Sequence, residues 1–356
     1  MKETMPCWTH KSFLKASILG CLVFLSAIIN RQWRNTRYTG GICFCSQVVN
    51  ITHTPTITSE IKVKRDGMWT VNSINRLGNQ MNGYGALYAF AKMNGKQPYI
   101  LSRMHNYLAP IFKITIPVIH DSVAQKIQWK GIHPSNWMRE EYKNISGKYV
   151  KIMGDPWSWT WYRDIRDEIR REFTLHDFLR DGANEQLAKL KGSQTNVTFV
   201  GVHVRRGDYV VHMPRDWKGA IGDRAYLQEA MDYFRKKYQE PIFVVASNGV
   251  PWCKENINAS NGDVYFAGDS NESTPANDFA LLVQCNHTIM TIGTFGWWAG
   301  YLAGGEVVYL TNFTSPKSAL PHYFHYKDTY LPEWIGIAAD LTPLINDTWK
   351  TMKGWV

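Results

Sequence analysis

Arg205, Arg206 and Asp208 follow directly on the apolar run Val200, Gly201, Val202, His203, Val204, with Gly207 between the cations and the carboxylate. A buried strand that ends in two guanidinium groups and a flexible turn can hold an anion at the edge of a sheet. Arg suits that task because its planar fork gives bidentate, permanently charged donors to phosphate. Alternate side chains of a strand share a face, so His203 and Arg205 point one way and Val202 and Val204 the other. The pattern predicts a phosphate clamp of His203 and Arg205, with the other arginine, Arg206, paired to Asp208 and fixing the loop. The competing reading is a structural Arg–Asp network on a charged surface. The apolar strand that feeds the cluster argues against it, since buried sheet centres rarely deliver charge.

Two further stretches have the composition of an anion-binding turn. Gly293, Thr294, Phe295 and Gly296 follow an apolar strand and open a helix. Small residues there let a ligand approach the backbone, and a helix N-terminus favours negative charge. Asn75 to Met81 lies between a strand at 68–71 and helical spacing over 84–93. That is the strand–turn–helix order of nucleotide-binding units, and Arg76, Asn79 and Gln80 are its candidate ligand contacts. Asp278 lies in a helix opened by Pro275. It either serves the helix N-terminus or accepts hydrogen bonds from the N–H and NH₂ edge of a purine. No GxxxxGK[ST] loop, HExxH or DxD triplet occurs, so no P-loop and no metal site is expected. Cations stand where a metal-dependent transferase of sugar diphosphates carries paired acids.

The elements that must position these residues alternate. Strands are read at 199–204, 242–246, 264–266, 288–292 and 307–310, and helices over 224–238, 275–282 and 297–302. This order predicts a parallel sheet covered on both faces, with ligands at the carboxyl ends of its strands. Earlier in the chain come a strand at 97–101 and helices over 165–173 and 175–190. Trp137, Trp157, Trp159 and Trp161 crowd the middle. They read as core, with a sugar-stacking platform as the alternative.

The net charge of +10 is spread along the chain rather than gathered in one basic tract. With no recognition motif beside it, nucleic acid is not an expected partner. Residues 13–29 are apolar apart from Lys15 and two Ser, with Gly20 inside. No small-x-small cleavage site follows, so a retained signal anchor is preferred over a cleaved signal. It separates a cytoplasmic tail at 1–12 from a Thr-rich stem at 30–65. Asn50, Asn144, Asn196, Asn258, Asn271, Asn286, Asn312 and Asn346 each begin an N-x-S/T triplet beyond the anchor, which favours a luminal body. Asn196 and Asn286 border strands, where burial would leave them unmodified. Cys253 and Cys285 are either a disulfide or two buried thiols.

The runs GVHVRRGDYV (201–210), DFALL (278–282), CNHTIMTIGTFG (285–296) and RLGNQM (76–81) closely resemble the vertebrate galactoside α-(1,2)-fucosyltransferases of glycosyltransferase family 11. TLHD (174–177) and LPEW (331–334) share the likeness, which runs from Met68 to about Leu344. The resemblance implies an α/β, GT-B-like fold of two Rossmann-type halves with a cleft between, preceded by a single transmembrane helix and a stem. It puts 66–195 on the acceptor side and 196–356 on the GDP-fucose side. It implies a type II Golgi membrane protein that moves L-fucose from GDP-β-L-fucose to the 2-hydroxyl of terminal β-galactose on glycoprotein and glycolipid glycans. The reaction inverts the anomeric centre and uses no metal or other cofactor. Arg205 matches the position that related enzymes set on the donor diphosphate, with His203 beside it, and the turn from Arg76 to Gln80 lines the cleft. Asn75 stands where relatives usually carry Gly. Asn tolerates positive φ, so the turn can survive.

Inverting transfer needs a base for the acceptor hydroxyl and charge relief on the departing nucleotide. Asp208 is the leading candidate base, with Asp216 and Glu272 as others and no side-chain base as a further alternative. A catalytically inactive glycan-binding membrane protein and a protein O-fucosyltransferase of the same fold remain as other readings. Self-association is left open.

Overall fold

The computed structural model describes residues 67–268 and 275–346, which belong to one compact unit. The expected tail, anchor and stem, Glu272, and the sequons at Asn50 and Asn271 lie outside the described residues.

Two parallel sheets organise the body. The first part of the chain supplies β1 (Met68–Val71), β2 (Ile100–Leu101), β3 (Val118–Ile119), β4 (Lys130–Ile132) and β5 (Tyr149–Ile152). β5 runs parallel between β1 and β4, β2 pairs with β3, and Pro98 bridges from the β2 side to Trp69 of β1. The strand order therefore turns back on itself between β1 and β5. The second sheet contains β6 (Val197–Val204), β7 (Glu240–Ser247), β8 (Val264–Phe266), β9 (His287–Met290), β10 (Val307–Thr311) and β11 (Ile335–Ala338). Its order is β11-β10-β9-β6-β7-β8, with every pairing parallel. This is a doubly wound sheet whose order reverses between β6 and β9, and ligands on such sheets sit outside the carboxyl ends at that switch point.

The principal helices are α1 (Leu77–Met93), α2 (Asp177–Lys191), α3 (Tyr209–Asp216), α4 (Arg224–Lys237), α5 (Val250–Asn256), α6 (Pro275–Val283) and α7 (Thr294–Ala303). Thirteen of the seventeen residues of α1 are buried, so it has no solvent face. It packs on β1 and, on another side, against α7 of the second half. The indole N–H of Trp298 donates to Asn82 Oδ1 across that interface at 2.8 Å, fully buried. The indole of Trp297, also fully buried, donates to the Thr329 carbonyl at 2.8 Å. The two halves are thus joined along a helix pair. α2, which lies before residue 196, packs on α6 of the second sheet.

The strands and helices predicted for the second half all occur, with ends shifted by up to three residues, while α3, α5 and β11 are additional to them. Helix α1 starts at Leu77, seven residues ahead of the expected start. The middle carries two strands, β4 and β5, that the sequence reading does not include. Trp159 and Trp161 are core, with Trp161 packed 5.2 Å from the Phe90 ring. Trp137 is half-buried and stacks on His325 at 4.3 Å. Cys253 and Cys285 are buried free thiols, and burial pushes Cys285 up to about 12. Asn144, Asn196, Asn258, Asn286, Asn312 and Asn346 are exposed, including the two expected to be at risk of burial beside strands.

Candidate active site

The N-termini of α1 and α7 meet. Gly78, in the first turn of α1, lies so close to α7 that a Cβ on it would stand 2.4 Å from Thr294 Oγ1 and 2.7 Å from the Phe295 backbone nitrogen. Thr294 Oγ1 donates to Asn79 Oδ1 at 3.0 Å, tying the first turns together. The N-cap residues are Arg76 and Gly293, and neither accepts a hydrogen bond through its side chain from its helix. Gly293 has φ of 101°, a backbone conformation that glycine adopts without strain. Two helix N-termini without carboxylate caps at one point concentrate positive potential there.

Arg205 adds a full charge at the second sheet's switch point. Its backbone N–H donates to Thr291 Oγ1 at 2.9 Å, which locks the end of β6 to the end of β9. Its guanidinium lies 4.7 Å over the Tyr209 ring and pairs with Asp208. Asp208 therefore braces Arg205, not Arg206 as the sequence reading expects. The reason is the i,i+3 reach at the turn before α3, which brings Asp208 back beneath the first arginine. Burial lowers the Arg205 pKa, and the like charge of Arg76 lowers it further, while Asp208 opposes both. Two cations close enough to repel each other are a site that a diphosphate would stabilise.

Arg206 faces elsewhere. It is 4% exposed, and its guanidinium stacks 3.8 Å over Trp252 of α5. Its backbone N–H donates to Asn248 Oδ1 at 2.7 Å, and its Cβ and Cγ lie against Gly249. Burial pulls its pKa down to about 10, so it stays cationic at neutral pH. Arg206 therefore does not make the expected pairing with Asp208, nor does it stand among the donor contacts beside Arg205. Successive residues at a strand end point to opposite faces, and Arg206 stiffens the β7–α5 loop.

His203 is buried beside Arg205, its ring 5.0 Å from Phe295 and its Nδ1 against Gly296. Burial, then the Arg205 charge, lowers its pKa to about 3. It is a neutral ring at this site and adds no charge to the clamp beside Arg205. Phe295 also meets Phe279 edge-on at 5.1 Å, so Phe279 of α6, Phe295 of α7 and His203 of β6 pack in one continuous stack. The Asp278 carboxylate lies against the backbone of Gly268, where a Cβ would fall 2.5 Å from Oδ2. Gln80 is fully buried and turns inward: its Nε2 donates to the Ile74 carbonyl at 2.7 Å, and Ser73 donates to its Oε1 at 2.9 Å. It holds the turn's shape rather than lining the site.

The His203 environment makes a pH prediction. Its folded pKa lies below the unfolded value, so between about pH 6.5 and 3 the unfolded chain binds a proton that the folded one does not. Its stabilising contribution is complete above pH 6.5 and is lost as pH falls toward 3. From pH 7 to pH 5 the expected loss is about 2 kcal/mol. Urea unfolding at both pH values should show a steeper acid loss for the native chain than for His203→Gln, and equal losses would remove this assignment.

Three carboxylates are candidate proton acceptors or lie by the helix ends, and each is engaged differently. Asp208 is held by Arg205. Asp216, at the far end of α3, is held by Arg215 and His212, and Arg215 above all lowers its pKa to about 2. A carboxylate so engaged is a poor base at neutral pH. Asp155, three residues past β5, receives Asn75 Nδ2 at 2.9 and 3.0 Å and Asn79 Nδ2 at 3.4 Å. Desolvation in the crevice raises its pKa even though solvent reaches the residue. Asn75 itself has φ of 60°, so the turn survives without Gly. Asp155, Tyr209 and Thr291 are not among the site residues expected from the sequence. Tyr209 adjoins the cation motif and could have been marked from it, whereas the partners of Asp155 and Thr291 lie about 80 residues away in sequence. Among the described residues no three His, Cys, Asp or Glu cluster as a metal ion would require.

Comparison with known proteins bears on this geometry. The family model for glycosyl transferase family 11 matches residues 37–338. Galactoside alpha-(1,2)-fucosyltransferase 2 of Gorilla gorilla gorilla is 58% identical over 282 residues, 79% of this chain and 82% of that one. Galactoside alpha-(1,2)-fucosyltransferase 1 of Oryctolagus cuniculus is 54% identical over 292 residues, 81% of this chain and 78% of that one. Among solved structures, NodZ alpha-1,6-fucosyltransferase co-crystallized with GDP aligns with a TM-score of 0.43 at 15% identity, covering 65% of this chain and 91% of that one. With a family match over most of its length and relatives above half identity, the chain belongs to glycosyl transferase family 11.

Proposed function

We propose that this chain transfers L-fucose from GDP-β-L-fucose to the 2-hydroxyl of a terminal β-galactose on glycoprotein and glycolipid glycans, inverting the fucosyl anomeric centre. The observation that carries the reading is the meeting of two helix N-termini with Arg76 and Arg205 at the switch points of two parallel sheets. That is a place for a nucleoside diphosphate. The activity named for the family relatives specifies the rest of the substrate.

In this reading the body is GT-B-like, and GDP lies along the second half. Its diphosphate meets Arg205 and the first turns of α1 and α7, and its guanine offers its N–H and NH₂ edge to Asp278. Charge that builds on the leaving diphosphate as the glycosidic bond breaks is met by donors already in place, so little reorganisation is needed. His203, being neutral, places no competing charge beside Arg205. No protein-bound metal is needed where two guanidinium groups and two helix termini supply the field. The chain is a single-pass type II protein of the Golgi membrane with this body in the lumen, a placement consistent with the six exposed sequons.

The test offers GDP-fucose with a β-galactoside acceptor, with a folded protein acceptor, and with neither. The expected result is transfer to the galactoside alone, with an α-1,2 linkage by NMR. Transfer to the folded protein without glycan would assign a protein O-fucosyltransferase, and binding without turnover would assign an inactive lectin-like protein.

A further inference from the structure

Asp155 is a carboxylate at this site that, among the described residues, is held by neutral groups alone. Oδ1 accepts from Asn75 and Asn79, and Oδ2 accepts from Asn75. A carboxylate offers about four acceptor positions, so Oδ2 keeps one for a ligand. The residue is exposed, and it follows β5 where the strand order of the first sheet reverses beside β1. Arg205 and Thr294 hold the corresponding place on the second sheet.

The same Asn79 that donates to Asp155 accepts from Thr294, so one side chain separates the carboxylate from the N-terminus of α7. The charged and titratable groups around this point are Arg76 on the β1–α1 turn, Arg205 and Asp208 at the end of β6, and Tyr209 on α3. The Asp155 charge is felt by the Tyr209 phenol, which also senses Arg205, Asp208 and Arg76. Asp155 therefore borders the anion site without lying in it. An anion is a poor partner for a carboxylate. A hydroxyl is a good one, because hydrogen bonds to an ionised acceptor are about twice as strong as neutral ones. The groups that must sit next to the diphosphate are the sugar it carries and the sugar that attacks it.

We propose that Asp155 accepts a hydrogen bond from a pyranose hydroxyl at the reacting centre, of the fucosyl donor or of the galactoside acceptor, and so positions that sugar. This rests on the reading of the site as a fucosyltransferase. The test is Asp155→Asn in the full-length chain, with KM for GDP-fucose, KM for the galactoside, kcat and GDP affinity all measured. The amide keeps one oxygen for Asn75, and GDP binding doubles as a check on folding. The expected result is a rise of about tenfold or more in one KM with GDP affinity unchanged, the loss typical of a hydrogen bond to a charged group. A rise for the galactoside assigns the acceptor, and a rise for GDP-fucose assigns the fucosyl ring. If neither KM moves, or if GDP affinity falls in parallel, Asp155 only holds Asn75 and Asn79 in place and the proposal is overturned. Failure of the fucosyltransferase reading would appear separately, as native protein that turns over no galactoside.

Discussion

Replacing Arg205 with Ala should lower kcat/KM for fucosyl transfer by about a thousandfold or more while the protein stays folded. The size follows from the removal of a preorganised charged donor at a leaving group, where one such donor is worth about 10² to 10³ in rate even when uncharged. Folding should suffer little. The guanidinium is itself an expense to bury, as its lowered pKa records, and its carboxylate partner Asp208 is 43% exposed and can turn to water. The Tyr209 ring loses a cation–π contact worth about 1 kcal/mol. Arg205→Lys should fall between native and Ala, because it keeps charge but not the bidentate fork. Calorimetry with GDP and initial rates with GDP-fucose check both variants. Near-normal turnover by Arg205→Ala would remove the diphosphate clamp from the mechanism.

The second sheet was legible because its signals are local. β-branched runs at 199–204, 242–246 and 307–310 alternate with helical periods, and each strand end is marked by Gly, Ser or Asn. The cation cluster could be placed at a strand end for the same reason. Which arginine meets Asp208 could not be read, since the answer depends on how the turn before α3 folds back under Arg205. Asn75 was readable as a residue able to hold positive φ, but its carboxylate partner is 80 residues away. α3 and α5 follow turns so closely that strand-end chemistry masked their helical spacing. The start of α1 was hidden by composition. Gly78, Asn79, Asn82, Gly83 and Gly85 are weak helix formers, Gly costing about 1 kcal/mol each relative to Ala. Burial against α7 overrides that propensity, and the glycines are what allow the approach.

That trade makes Gly78 the position where the smallest added group should have the largest effect. Ala at 78 would raise helix propensity by about 1 kcal/mol. Its Cβ, however, would stand 2.6 Å from the Thr294 carbonyl carbon and 2.7 Å from the Phe295 nitrogen. These are backbone atoms at the first turn of a buried helix, so no side chain can rotate away. Overpacking of this kind costs about 1–3 kcal/mol, which outweighs the propensity gain. The relief available is to move the N-terminus of α7 away from that of α1. That shift breaks the Thr294–Asn79 hydrogen bond and spreads the two positive helix ends. Gly85 lies two turns along the same helix and gives the comparison. A Cβ there would meet Trp298 and Tyr162 at 3.6 Å, ordinary contact. Gly85→Ala should therefore melt at or above the native temperature and bind GDP normally. Gly78→Ala should melt several degrees lower and bind GDP at least about tenfold more weakly, the 1.4 kcal/mol equivalent of one lost charge-assisted contact. Thermal melts and GDP calorimetry on the pair decide it. Native-like GDP affinity in Gly78→Ala would mean that the meeting of the two helix ends joins the halves but does not bind the nucleotide.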